Sequence, residues 1–113
     1  MVEGRTAYCH HYHRAMSVFS PKWTPEITRA LLAGSTRFSE IAAAIPNLSD
    51  RLLSERLKHL EAEGVVTRDV IPDTPVRVEY RLTEKGRGLA AAVDALSAWA
   101  QRWVTPAEAE ASG

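Results

Sequence analysis

The sequence predicts a mainly α chain carrying one small β-hairpin (an α+β class), and three observations carry that expectation. Apolar residues recur at helical spacing, as at Phe38, Ile41, Ala42 and Ile45, which fall at i, i+3, i+4 and i+7. Further on the period drops to two: Val76, Val78, Tyr80 and Leu82 alternate with Arg77, Glu79 and Arg81. Two helical stretches ahead of that switch are separated only by Pro46-Asn47-Leu48, the tight break of a helix-turn-helix.

Taken in order, residues 1–11 are expected to form an N-terminal arm, and residues 12–34 the first helices. One runs from about Tyr12 to Phe19 and ends near Ser20-Pro21. The next opens at Thr24-Pro25-Glu26, where Thr24 is expected to cap, Pro25 gives up an N–H that would be orphaned, and Glu26 suits the positive helix end. Gly34 stops it. The helix-turn-helix covers 38–63; Ser49 caps its second helix, which buries Leu53, Leu57 and Leu60 and ends at Gly64. Residues 65–82 form the hairpin, with Pro72-Asp73-Thr74-Pro75 as its turn, since two prolines cannot continue a ladder. A two-stranded hairpin needs a helical body to lean on, which is the geometry of a wing. Thr83-Glu84 opens a last helix, 83–104. There Leu89, Val93, Leu96, Ala100 and Trp103 step by alternating fours and threes, a heptad-like seam read as a dimer interface. The small, polar tail 105–113 is expected to fray. The expected architecture is thus a winged helix-turn-helix flanked by N- and C-terminal helices.

Composition bounds the function. A chain of 113 residues with 45% hydrophobic and 25% charged residues is one ordinary globular domain. No apolar run approaches the ~20 residues of a membrane helix, so no membrane partner is expected. The start MVEGRTAYCHHYHRAM has no apolar stretch of a signal peptide, and the single Cys9 cannot staple a secreted fold; both predict a cytoplasmic protein. Basic and acidic residues both total 14, so no overall positive field draws in nucleic acid. A DNA-binding reading has to rest on where particular cations point.

With Leu53 and Leu57 buried, 100° per residue places Arg51, Ser54, Glu55 and Lys58 on the outer face of the second helix. In a helix-turn-helix that helix enters the major groove with its N-terminal residues on base edges. Arg51 suits a bidentate bond to guanine, Glu55 can accept from cytosine, Ser54 is permissive and Lys58 suits phosphate. Ser49 and Asp50 open the same helix, and Thr36 and Arg37 beside the preceding one are placed for the DNA backbone. Arg77 at the wing is expected to reach phosphate or the minor groove. Any one of these charges, taken alone, reads first as a solvated surface residue; the helix order, the break and the hairpin carry the group.

Lys22-Trp23-Thr24, Arg37-Phe38-Ser39-Glu40-Ile41, the run from Leu53 to Glu61, Gly64-Val65-Val66-Thr67-Arg68 and the string Pro75 to Gly86 together resemble the HxlR family. The resemblance spans about residues 9–103, and V-E-Y-x-L-T-x-K-G is its most specific part. It implies a homodimeric bacterial or archaeal transcription regulator of MarR-like build, dimerising through its terminal helices and binding a double-stranded, pseudo-palindromic operator. It also implies, for several members, a response to electrophiles or oxidants through a cysteine near the N-terminus, the position of Cys9. Two departures stand out: His10 where the family commonly has Pro, and Ser20-Pro21 where it commonly has two glycines.

Cys9 with His10, His11 and His13 has three readings: a redox- or electrophile-sensing thiol at a helix start, a metal site sharing Cys9 and His13 at i and i+4, or an ordinary interface cysteine. The spacing lacks the paired ligands of common zinc sites, so no metal and no cofactor are expected. Trp23, Trp99 and Trp103 read first as core or dimer seam, with a small-molecule effector pocket between body and dimer helices as the sharper alternative. No nucleophile–base pair, phosphate-cradling loop or paired carboxylates point to an enzyme. The rival to DNA binding is a winged-helix protein-interaction module, which the neutral charge favours.

Overall fold

Residues 9–112 are described by the structure, a computed structural model; residues 1–8, most of the expected N-terminal arm, and Gly113 lie outside the described residues. Helix α1 spans His10–Phe19, starting two residues ahead of the expected Tyr12 because Cys9 caps it, its Sγ accepting from the Tyr12 N–H at 3.5 Å. Helix α2 spans Thr24–Leu32. Its cap is Trp23 rather than Thr24: Trp23 takes a left-handed conformation (φ 80°), and the Thr24 N–H is already spent on the Pro21 carbonyl at 3.1 Å. Thr24 is instead fully buried, and its hydroxyl has no hydrogen-bond partner among the described residues.

Helix α3, Phe38–Ala44, is locked at its start by Glu40, whose Oε1 accepts from the backbone N–H groups of Thr36 and Arg37, both at 2.9 Å. Asn47 (φ 70°) turns the chain into α4, Asp50–Ala62, capped as expected by Ser49, which accepts from the Leu52 N–H at 3.1 Å. The two strands, β1 Val66–Ile71 and β2 Arg77–Leu82, pair antiparallel from Val66↔Leu82 to Ile71↔Arg77. This register puts Val66, Arg68, Val70, Val78, Tyr80 and Leu82 on one face, and Val66, Tyr80 and Leu82 belong to the helical core. The outer edge of β2 is held too: the Tyr80 N–H donates to the Thr36 carbonyl at 2.7 Å, hanging the hairpin from the segment that leads into α3.

Helix α5, Glu84–Trp103, is capped by Thr83. The Thr83 hydroxyl donates to the Gly64 carbonyl at 2.6 Å and accepts from the Gly86 N–H at 3.0 Å, joining the start of α5 to the end of α4. Gly86 is buried against the Val65 carbonyl, closer than any Cβ could sit. The end of α4 is held by two further side chains. Arg14 of α1 grips the Glu63 carboxylate with bonds of 2.8 and 3.1 Å, and Lys85 of α5 donates to the Glu63 carbonyl at 2.6 Å.

The core is one cluster in which Ile27, Ile41, Leu53, Leu57, Leu60, Val65 and Val66 are essentially inaccessible to solvent. It forms where α2, α3, α4 and the base of the hairpin meet, so the outer face of α4 is left on a rigid support.

Two expectations are corrected. The seam Leu89, Val93, Leu96, Ala100, Trp103 is not one free stripe. Val93 is buried in a protomer where α5 packs on α2, and Leu89 and Ala100 are half-buried, whereas Leu96 is 54% and Trp103 61% exposed. Val93 packs into the core, whereas Leu96 and Ala100 only line an open groove with Pro25, Glu26 and Arg29 of α2, and Trp103 stands in solvent. Nor is the tail frayed throughout, since Pro106–Ser112 forms a helix, α6. Thr105 and Glu108 cap it reciprocally, the Thr105 N–H donating to Glu108 Oε1 at 3.0 Å and the Glu108 N–H to Thr105 Oγ1 at 3.2 Å.

Candidate nucleic-acid interface

The face of α4 opposite Leu53 and Leu57 carries the residues expected there. Arg51 is the most open, with 89% of its side chain accessible, and it lies 3.5 Å from Glu55 one turn on. Lys58 is exposed on the same side, and Ser54 is half-buried toward the hairpin. Ser49 and Asp50 are exposed at the start of the helix, where the Ser49 hydroxyl is engaged as the cap. Arg56, on the flank, is bound inward: its Nε donates to the Lys22 carbonyl at 2.7 Å and ties α4 to the approach of α2.

Thr36 and Arg37 form a second group. The Thr36 N–H and hydroxyl both engage Glu40, at 2.9 and 3.4 Å, while the Arg37 side chain is exposed. Hydrogen bonds from the Thr36 and Arg37 backbone hold the Glu40 carboxyl below the usual carboxylate range.

Arg77 is in a different state from the one expected. Its guanidinium lies between Asp73 at 3.3 Å and Glu79 at 3.0 Å, and Glu79 also accepts from Arg81 at 2.6 Å. The Arg81 hydrogen bond, helped by Arg77, lowers the Glu79 pKa. Arg77 therefore braces the wing turn with its charge already matched, and is not brought together with the α4 group. Arg68 is the residue that is brought to α4, and the sequence reading passed over it. The signal was there: in Val66-Thr67-Arg68-Asp69-Val70, Arg68 shares its parity with the two valines and so faces the helical body. Ser54, Lys58, Glu61, Arg68 and Tyr80 line a recess between α4 and the hairpin.

Away from this face, the Cys9 thiol is exposed at the start of α1. Among the described residues no three of His, Cys, Asp and Glu stand together as a metal site. Trp23 lines an open cleft of about 760 Å³ between α2, the α3–α4 turn and α5, where Arg29 pairs with Asp94 at 3.1 Å. Trp99 and Trp103 are exposed, with Arg102 stacked over Trp103 at 5.1 Å. No helix among the described residues is long and apolar enough to cross a membrane.

The family described as HxlR-like helix-turn-helix matches residues 18–108. The uncharacterised HTH-type transcriptional regulator YvaP of Bacillus subtilis is 56% identical over 98 residues, 87% of this chain and 91% of that protein. YodB, an HTH-type transcriptional regulator of the same organism, is 41% identical over 100 residues, 88% of this chain and 89% of YodB. Its reduced form superposes with a TM-score of 0.75, covering 88% of this chain and 97% of that one. YodB has also been solved diamide-treated and quinone-bound. The redox regulator HypR in its reduced form, 33% identical, covers 81% of this chain and 91% of its own with a TM-score of 0.75.

Proposed function

Because the chain belongs to the HxlR-like helix-turn-helix family, and is thus a transcriptional regulator rather than an enzyme, we propose that it works as a cytoplasmic homodimer binding a pseudo-palindromic operator and is switched by an oxidant or electrophile. The observation that carries the reading is the outer face of α4: capped, rigidly backed by Leu53, Leu57 and Leu60, and presenting Arg51, Ser54, Glu55 and Lys58 outward. That helix enters the major groove, with Arg51 on guanine and Glu55 on cytosine. Their ion pair holds both groups over the helix surface until base edges replace it. Ser49, Asp50, Thr36 and Arg37 border the same surface.

The exposed apolar stripe of Leu96, Trp99 and Trp103 on the C-terminal half of α5 supports self-association, since an isolated stripe of that kind is poorly tolerated in water. The exposed thiol of Cys9, at the start of a helix tied to the end of α4 by Arg14, supports a sensing role. YodB, solved with quinone and after diamide, is the relative that supports this chemistry for the signal.

The test is binding of duplex DNA fragments across a salt series. Contact with phosphates makes affinity fall steeply with salt, and selection from genomic fragments should return a sequence with two-fold pseudo-symmetry. A protein with no affinity for any duplex at low salt would be an interaction module instead.

A further inference from the structure

We infer that the recess between α4 and the hairpin is a seat for a backbone phosphate of duplex DNA, held by Lys58 and Arg68 with the Tyr80 hydroxyl as a third donor. The inference rests on the DNA-binding reading and deepens it by assigning Arg68 and Tyr80, which that reading does not use.

The cations of this chain are largely occupied. Among the described residues Arg14, Arg29, Arg51, Arg77 and Arg81 are in ion pairs. Arg56, Lys85 and Arg87 donate to backbone carbonyls, and Lys22 and Arg102 lie over tryptophan rings. Arg37 sits beside the Glu40 charge. Lys58 and Arg68 have no hydrogen bond, ion pair or ring contact among the described residues, and both line one recess of about 370 Å³ with Ser54, Glu61 and Tyr80. The Tyr80 backbone is bonded to Thr36, but its hydroxyl has no partner among the described residues. Two unmatched cations against the single carboxylate of Glu61 leave the recess net positive, the condition for taking an anion.

Its position identifies the anion. Ser54 belongs both to the recess and to the base-reading face. Lys58 lies seven residues beyond Arg51, about 10 Å along the helix axis, and the major groove is about 12 Å wide. When Arg51 meets base edges, the bordering sugar–phosphate strand falls at the end of α4 where the hairpin closes the recess. A guanidinium from a strand and an ammonium from a helix then converge on one phosphate from two sides.

The experiment measures fluorescence anisotropy across a salt series, with a duplex carrying the fragment the wild-type protein selects and one of scrambled sequence. Arg68→Gln should weaken binding to both about equally, by roughly tenfold at low salt. It should also reduce the salt slope by about one per protomer and leave base preference unchanged. Arg68→Lys should restore most of the affinity, Glu61→Gln should strengthen binding to both duplexes, and Tyr80→Phe should give a smaller uniform loss. Arg68 is exposed, so the melting temperature of Arg68→Gln should match wild type. Wild-type affinity and slope in Arg68→Gln would overturn the phosphate seat while Arg51→Ala still altered base preference. A changed base preference in Arg68→Gln would overturn it as well, by making Arg68 a base reader. Failure of the wild-type protein to bind either duplex at low salt would overturn the DNA reading itself.

Discussion

Alanine at Gly86 and alanine at Gly88, two residues apart in α5, should change stability in opposite directions. Without tertiary structure both substitutions would help, since alanine is better than glycine in a helix by about 1 kcal/mol. At Gly88 a Cβ meets nothing within 4 Å, so that gain should appear undiminished. At Gly86 the Cβ would collide with the Val65 carbonyl oxygen and stand 3.0 Å from Leu82 Cδ2. The carbonyl cannot step aside freely, because it accepts the Thr83 N–H at 3.0 Å, and the Thr83 hydroxyl lies 3.2 Å from it. Relief requires lifting the first turn of α5 away from the end of α4. Overpacking of this kind costs about 1–3 kcal/mol, and a stretched hydrogen bond adds about 1 kcal/mol. Against the helix-propensity gain, Gly86→Ala should lose about 1–3 kcal/mol net. Urea denaturation at fixed protomer concentration is the assay, because the proposed dimerisation would couple apparent stability to concentration. In melting terms the expected shifts are a fall of roughly 4–12 °C for Gly86→Ala and a rise of about 4 °C for Gly88→Ala. Stabilisation by Gly86→Ala would refute the close approach of α5 to Val65, and destabilisation by Gly88→Ala would refute the open space at Gly88.

Other consequences are open to measurement. Arg51→Ala should weaken operator binding by about 1–3 kcal/mol and relax preference at one base position, read by competition with single-base operator variants; unchanged preference would remove Arg51 from the reading set. Diamide or a quinone should release the wild-type protein from its operator but not Cys9→Ser, and equal release from both would exclude the thiol as the switch. Leu96→Glu should shift sedimentation toward the monomer without unfolding the protomer, since that side chain is 54% exposed; an intact dimer would place the interface elsewhere. The lowered pKa values of Glu40 and Glu79 have a definite sign. A depressed carboxyl stabilises the fold above the ordinary glutamate value of 4.5, and that contribution fades as pH falls through the lowered value. Glu40→Gln should therefore flatten the acid limb of a stability–pH curve, whereas an unchanged limb would deny Glu40 its part in it.

Most of the element order was legible because each boundary has a local chemical cause. Ser49 caps α4 from its place before an apolar period, and Gly34 and Gly64 end helices in positive φ, as their spacing implied. The shift of the α2 cap from Thr24 to Trp23 was not legible, because a left-handed tryptophan is held by surroundings rather than preferred by its own chemistry. Helix α6 was legible and overlooked: Thr105-Pro106-Ala107-Glu108 is a capping box in plain view. Helical arithmetic put Arg51, Ser54, Glu55 and Lys58 on the outer side of α4, opposite its buried leucines. It could not tell which of the nearby cations would remain unmatched. That depends on pairings within β2, where Glu79 takes up Arg77 and Arg81 while no described residue takes up Arg68. The division of the α5 stripe was hidden for a similar reason, since period reveals a face but not how closely the neighbouring helix packs on it.

The joint at Glu63, where Arg14 and Lys85 both grip the end of α4, also sets how that helix can tilt. The core backs α4 along its length and Arg56 ties it to Lys22, so any tilt about Glu63 moves the helix as a rigid body and its travel grows with distance from that joint. Arg51 stands twelve residues from Glu63, about 18 Å along the axis. A tilt of roughly 5° about the joint carries Arg51 by about 1.5 Å, half the length of a hydrogen bond. The tip proposed to meet DNA is thus the part of α4 that travels farthest for a small adjustment at Glu63, the end that α1 grips through Arg14.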